Sequence, residues 1–271
     1  MEPFKQKNES IMELSYGQGN NPKLIAGITT RFGGESTAPF DSLNMGFHVP
    51  DDPKRVLDNR KKVAELLAFP LHNWIMGEQT HQTNIHVVKQ DDPNIGSGAL
   101  TNKDALKDID GLITNQQNVL LTAMYADCVP LYYFDPTTDW IGIAHAGWRG
   151  TVNQMAKHMV DKLTDHGANI ATLQVTIGPS ISVSNYQVDE KVYQLIPNKW
   201  REEVTQKFDA THYLFDLHKL HQLILIDSGV KPNNIFITNY CTYQDDAFYS
   251  HRKEEGKTGR MLGYIGLKTA R

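Results

Sequence analysis

Residues 119–150 read VLLTAMYADCVPLYYFDPTTDWIGIAHAGWRG. Val119–Ala126 and Leu131–Phe134 are continuous apolar runs of strand character, and Asp135-Pro136 is a turn signal between the second run and Trp140–His145. With Asp135–Thr138 as the loop, the second and third runs form a hairpin in which Cys128 faces His145. Directly opposed residues on one face have Cβ atoms about 4.5–5.5 Å apart. A thiolate and an imidazole at that separation can share one proton or one metal ion. After a glycine-flanked turn, apolar residues fall at Val152, Met155, Ala156, Met159, Val160 and Leu163, with Gly167 just beyond. That spacing predicts one helical face following the hairpin.

The same alternation of strands and helices extends in both directions. Leu24–Thr30 predicts a strand that ends at Gly33-Gly34. Asp51-Asp52-Pro53 supplies an N-cap and a first-turn proline for a helix that places Val56, Val63, Leu66 and Leu67 on one side and stops before Pro70. Ile85–Val88, Leu173–Ile177, Ile235–Thr238, Phe248–Ser250 and Met261–Leu267 predict further strands, and Asp216–Ser228 a helix capped by Gly229. Lys89–Lys107 reads as a surface loop. Strands and helices interleaved with hairpins predict an α+β, mixed α/β arrangement. Without repeats or linkers, the expectation is a single domain over residues 1–271, with 1–23 as a peripheral N-terminal segment.

The chain has 271 residues, 40% apolar and 21% charged, with a net charge of −4. Disorder is excluded by that balance, and the total charge points to no basic face for nucleic acid. The apolar runs are far shorter than the ~20 residues of a membrane-spanning helix. The opening MEPFKQKNES lacks an apolar signal core, so a cytoplasmic protein is expected. Two cysteines, Cys128 and Cys241, give no disulfide framework.

A metal shared by Cys128 and His145 needs a third ligand, and His81 in Gln79-Thr80-His81 offers one. His86, five residues on along an extended chain, points to the opposite face. Cys plus two His is a catalytic zinc set that leaves a fourth position open. A buried cysteine is also an ordinary small hydrophobe. Gly147 and Gly150 permit close backbone approach, and Arg149 beside a helix start makes an anion site; a tight turn packed by Trp148 fits the same residues. Arg31, Arg252 and Arg260 read singly as surface arginines, His158 and His166 as solvated helix positions, and His218 and His221, at i, i+3 on a helix, as either a metal-binding pair or, more often for such a spacing, an exposed face. Cys241 reads as core. Asp127 points away from Cys128 unless the chain bends there.

Ala126-Asp127-Cys128, His145-Ala146-Gly147-Trp148-Arg149-Gly150, Ser42-Leu43-Asn44-Met45-Gly46 and Gln79-Thr80-His81 resemble the motifs of the bacterial YfiH/YlmD family. Its relatives include the mammalian laccase-domain-containing protein, and it is also labelled polyphenol oxidase or peptidoglycan editing factor. Ile177-Gly178-Pro179, Cys241-Thr242, Ser250-His251-Arg252 and Gly259-Arg260 extend the match over residues 24–266. The resemblance implies a layered α/β/β/α sandwich with mixed sheets, likened to the CNF cysteine-hydrolase toxins. It implies a zinc-dependent purine nucleoside phosphorylase acting on adenosine, inosine, guanosine and methylthioadenosine with phosphate, and also deaminating adenosine. Carried over by motif, the zinc ligands are His81, Cys128 and His145, with copper as the second candidate ion. Arg149, Arg31 and Arg252 become candidate phosphate holders, Asn44 a candidate binding residue and Asp127 a candidate proton carrier. Purine nucleosides and phosphate are the implied partners, with no nucleic acid, membrane or protein partner. Gln82 departs from the glycine usual after the first ligand histidine. Three competing readings are a copper laccase, a metal-independent hydrolase with Cys128 attacking and His145 as base, and a non-catalytic role in cell-wall maintenance. The laccase reading lacks support in the absence of any His-x-His pair.

Overall fold

The runs 120–125, 129–134 and 141–146 are buried at every position. A strand can be so only when both its faces are covered. The structure is a computed structural model that describes residues 1–15 and 21–269. In chain order its strands are β1 Phe4–Asn8, β2 Ile11–Leu14, β3 Leu24–Thr29, β4 Trp74–Met76, β5 Ile85–Val87, β6 Gly111–Thr114, β7 Leu120–Tyr125, β8 Val129–Phe134, β9 Ile141–Ala146, β10 Gln174–Ile177, β11 Gln187–Asp189, β12 Thr205–Lys207, β13 His212–Phe215, β14 Ile235–Ile237 and β15 Met261–Leu267. The helices are α1 Pro53–Leu67, α2 Trp148–Val152, α3 Met155–Asp165, α4 Glu190–Leu195, α5 Asn198–Val204 and α6 Leu217–Asp227.

Two six-stranded sheets have the orders β1-β2-β3-β15-β7-β4 and β14-β10-β8-β9-β6-β5, and a three-stranded sheet has the order β11-β13-β12. Both large sheets are mixed, with parallel pairs at β4–β7, β5–β6 and β10–β14. Alternation along each strand builds the layers. From β7, Leu121, Ala123 and Tyr125 meet Tyr132, Phe134, Ile141 and Ile143 of the second sheet, while Leu120 and Met124 turn to Val63 and Leu67 of α1. On the far side of the second sheet, Leu131, Tyr133 and Ala144 pack against Met155, Met159, Leu220 and Ile224 of α3 and α6. The order α/β/β/α matches the expectation. Each fully buried Leu, Ile or Phe in these layers contributes roughly 1.5–3 kcal/mol.

Several local expectations change. Phe134 pairs with Ile141 and Pro130 with His145, two residues away from the expected register. The cause is Asp135, whose buried carboxylate accepts from Thr137 N (3.1 Å), Thr172 Oγ1 (2.7 Å) and Asn169 N (2.7 Å), and so organises a longer connection. An even slip preserves the face of every side chain. The N-terminal segment expected to be peripheral instead supplies β1 and β2 of the first sheet, with Phe4, Ile11 and Met12 buried. Residues 16–20 of that segment lie outside the described residues.

The helix predicted to run on through Val152 and Leu163 is two helices separated by a left-handed Gln154. Both pieces bury the same apolar side, so periodicity alone cannot register the break. Leu66 lies off the buried stripe of α1, which instead takes in Asn59 and Arg60. Phe248 and Tyr249 are buried but not in a strand.

Burial alone would raise the pKa of Asp135, but hydrogen bonds from Asn169, Thr138, Thr172 and Thr137 outweigh it and hold the carboxyl below the usual carboxylate range. Its stabilising contribution is therefore complete above the unfolded carboxylate pKa of about 4 and is lost as pH falls through the lower folded value. Asp135→Ala should destabilise the protein by about 3 kcal/mol at neutral pH in urea unfolding. The gap to the unsubstituted protein should shrink in acid; a gap unchanged down to strongly acid pH would contradict this account.

Candidate active site and metal centre

Three chain segments converge where the ends of β7 and β9 meet. His145 sits near the end of β9 on the face between the sheets and is buried. Just past β7 the chain bends, with Asp127 in the left-handed region at φ 81°. That bend brings Asp127 and Cys128 to the wall of one cavity. His81 arrives from the loop after β4, itself left-handed at φ 62°, with Gln79 at φ 59°. The Gln79 side chain acts as a strand partner: its Nε2 donates to Met124 O (2.8 Å) and its Oε1 accepts from Met124 N (2.7 Å). Clustered left-handed non-glycine residues mark backbone held in place by its surroundings. Gln82 is not among them, so the position needs no glycine.

The donor atoms of His81, Cys128 and His145 lie within 4.8 Å of one another. Cys128 Sγ is 3.9 Å from His81 Nε2. The two imidazoles meet edge to face, with centroids 4.8 Å apart. Gly147 makes this possible, because a Cβ there would lie 2.7 Å from His81 Cδ2 and 3.0 Å from Cys128 Sγ. Two imidazoles and a thiol form a group that could hold a metal ion, and their softness suits zinc or copper.

Asp110, which sequence reading missed, ties the group together. Its buried carboxylate accepts from Thr80 N (3.1 Å), His81 N (3.1 Å) and Gln82 N (2.9 Å), and from His145 Nδ1 at 2.8 Å. His145 N also donates to the Asp110 carbonyl at 2.8 Å. With Nδ1 engaged, Nε2 is the nitrogen His145 presents to the group. A carboxylate behind a ligand histidine fixes its tautomer and strengthens it as a donor. The only signal in the sequence was an Asp-Gly pair at the start of a short strand.

The charges follow. Burial alone would push the Cys128 thiol up, but the His145 charge and hydrogen bonds from His145 and His81 bring it down to about 6. Burial alone would lower His145, but the Cys128 charge and the Asp110 hydrogen bond raise it to about 9. Without a metal, the pair is a thiolate and an imidazolium between those two values.

The cavity holds about 690 Å³, within the range of small-molecule sites. Arg149, Arg252 and Arg260 line it together with Trp148 and Tyr186. Arg149 lies over the Trp148 ring at 4.3 Å and Arg252 over Tyr186 at 5.2 Å. Because α2 has only five residues, the anion argument at Arg149 rests on the guanidinium and not on a long helix dipole.

Other candidates fall elsewhere. Arg31 does not line the cavity; it pairs with Glu254 at 2.9 Å. Asn44 is fully buried behind the wall and bonds Gly46 and Asp51. His86 pairs with Asp92. His218 and His221, expected to be exposed, face inward, bonded to Ser180 Oγ (2.6 Å) and Thr151 Oγ1 (3.0 Å). Cys241 is core, as expected. Arg260, read as a surface residue, lines the cavity.

A layered α/β/β/α fold with a His–Cys–His group at one end of its sheets defines a class of protein, and the comparisons agree. Residues 25–268 match the family described as "Multi-copper polyphenol oxidoreductase laccase". Purine nucleoside phosphorylase YlmD of Bacillus subtilis is 42% identical over 265 residues, 96% of this chain and 94% of that one. Purine nucleoside phosphorylase SSP1584 of Staphylococcus saprophyticus is 36% identical, over 96% of this chain and 97% of its own. The crystal structure of Bacillus licheniformis hypothetical protein YfiH superposes with a TM-score of 0.94 at 38% identity, covering 99% of this chain and 100% of that one. YlmD of Geobacillus stearothermophilus superposes at 0.92 and 37% identity, over 99% and 100%. The chain belongs to this YfiH/YlmD family of laccase-like proteins.

A depressed thiol pKa has a direct readout. In metal-free protein carrying Cys241→Ser, alkylation of Cys128 by iodoacetamide should rise with pH about a midpoint near 6. A midpoint near the value of a free thiol, about 8.5, would contradict the ion-pair geometry.

Proposed function

We propose that this protein is a zinc-dependent purine nucleoside phosphorylase with His81, Cys128 and His145 as the metal ligands. The carrying observation is the convergence of these donors in a cavity that arginines also line. The relatives named purine nucleoside phosphorylase support the reaction class. When bound, the metal supplies Lewis-acid polarisation.

In phosphorolysis a phosphate oxygen bonds to C1′ of the sugar, the C1′–N9 bond breaks, and the departing base gains a proton. The guanidinium groups of the cavity hold the phosphate by charge-assisted hydrogen bonds. Trp148 and Tyr186 offer flat faces to a purine. Asp127 accepts from Thr242 Oγ1 (2.7 Å) and Arg252 N (2.6 Å), fixing the 250–252 loop, and is our candidate to pass a proton. Asp110 orients His145 and the His81 loop without touching substrate. The substrates we assign are adenosine, inosine, guanosine and methylthioadenosine, with adenosine deamination as a second activity. Deamination bonds a water oxygen to C6 of adenine, breaks the C6–N bond and releases ammonia, and would use the same cavity without phosphate. We place the protein in the cytoplasm, where both thiols stay reduced; among the described residues no helix is long and apolar enough to cross a membrane.

Protein purified without added metal should carry one zinc per chain and release hypoxanthine from inosine only with phosphate present. Cys128→Ser should lose metal and activity together, whereas Cys241→Ser keeps both. Activity without stoichiometric metal would favour the Cys128–His145 hydrolase; several coppers per chain would favour the oxidase.

Asp110→Ala should lower metal affinity about 10- to 100-fold with the fold retained, measured by competition with a chromogenic chelator. Unchanged affinity would remove Asp110 from the supporting role described above.

A further inference from the structure

Arg260 carries a charge that no carboxylate among the described residues pairs with directly. It precedes β15, lines the cavity and is half-buried. Its Nη1 donates to Thr258 O (2.8 Å) and Gly259 O (2.9 Å), while Nε and Nη2 make no hydrogen bond among the described residues. Three anionic groups attract it, the Cys128 thiolate first and then Asp127 and Glu254, and each is committed elsewhere, the thiolate to His145 and His81. Asp127 serves Thr242 and Arg252 N. Glu254 serves Arg31 Nη1 (2.9 Å), Ser250 N (3.1 Å) and the Thr258 hydroxyl. Arg31 thus neutralises the acid that would otherwise quench Arg260. Withdrawing a cation from water without a paired anion is costly unless a ligand supplies the anion.

A dedicated loop places this side chain. Asn44 Oδ1 accepts from Arg260 N (2.9 Å) and from Gly46 N (3.0 Å), and Met45 N donates to Arg260 O (3.0 Å). A Cβ at Gly46 would lie 2.9 Å from Arg260 Cγ and 3.1 Å from His48 Cε1. The Ser42–Gly46 motif therefore has a physical purpose: a buried asparagine pins the Arg260 backbone, and a missing Cβ makes room for its stem. The other cavity arginines are differently engaged. Arg149 is exposed and stacked on Trp148, and Arg252 is stacked on Tyr186 with Nη2 donating to Gln187 O at 3.1 Å.

We propose that Arg260 is the phosphate anchor of the cavity, its Nε and Nη2 forming a two-pronged donor to inorganic phosphate, and that the Asn44–Gly46 loop is a positioning device for it. The planar fork of a guanidinium matches two phosphate oxygens. The identity of the anion rests on the phosphorylase reading; the existence of the anion site does not.

The test titrates inorganic phosphate against the unfolding temperature, and separately against inosine cleavage, for unsubstituted protein, Arg260→Gln and Gly46→Ala. Phosphate should stabilise the unsubstituted protein, since a ligand of the native state raises its unfolding temperature. Arg260→Gln should abolish that shift. Gly46→Ala keeps every atom of Arg260 but displaces its stem, and should raise the half-saturating phosphate concentration about tenfold. KM for phosphate should rise about ten- to hundredfold in Arg260→Gln, with KM for inosine moving less. In unsubstituted protein, phosphate should also slow phenylglyoxal modification of Arg260, read by peptide mass spectrometry, which needs no variant to fold. Absence of stabilisation and protection in the unsubstituted protein overturns the assignment, as does unsubstituted half-saturation in both variants. Stabilisation lost in Arg260→Gln without nucleoside cleavage by any form upholds the anion site and defeats the phosphorylase reading. Phosphate-dependent cleavage whose KM neither variant moves upholds the phosphorylase and defeats Arg260 as anchor.

Discussion

The carboxylate of Asp110 is buried between two sheets and accepts four N–H groups, three from the backbone of one loop and one from the imidazole of His145. A carboxylate without those donors would not remain ionised in such a place. Its partners in turn have few alternatives. The Thr80–Gln82 backbone is folded around it, with His81 in a left-handed conformation that side chains disfavour. His145 keeps a single tautomer because its Nδ1 has a fixed acceptor. Two of the three donors of the candidate metal centre therefore derive their position from one side chain. The third, Cys128, is set by the bend at Asp127 and by the gap that Gly147 leaves.

Around this point the protein distributes its charges unevenly. Asp127, Glu254 and Asp110 each have committed donors, and Arg31 is paired. Among the described residues Arg260 remains a cation without a bonded carboxylate, beside a thiol whose own negative charge is shared by two imidazoles. A cavity arranged in this way favours an anionic ligand next to the His–Cys–His group. A phosphate beside the sugar of a bound nucleoside is such a ligand, and the aromatic faces of Trp148 and Tyr186 suit the base.

The family description speaks of many coppers, but the group of donors found among the described residues is a single set of three. A multicopper oxidase needs a blue-copper set together with further histidine-rich sites. Several other histidines are committed otherwise: His218 and His221 bond hydroxyls of Ser180 and Thr151, and His86 bonds Asp92. The donor chemistry thus fits one ion far better than several.

Much of this was legible in the chain. Apolar runs at 119–126 and 131–134 and the helical spacing to Leu163 identified central strands and the buried side of two successive helices, because burial imposes periodicity on local sequence. The motifs around His81, Cys128 and His145 pointed to three side chains that the fold brings together. What the sequence could not disclose were long-range contacts. β1 is polar over most of its length, and only its pairing with β2, which in turn pairs with β3, explains it as a strand. The hairpin register followed from Asp135 meeting Thr172 and Asn169, far along the chain. Asp110 and Arg260 carry no periodic pattern, and beyond an Asp-Gly and a Gly-Arg pair an isolated carboxylate or guanidinium reads as surface until the fold removes its water. Local composition decided which segments would be buried; the tertiary structure decided which charges would be left facing one another, because that depends on which distant partners have already been satisfied.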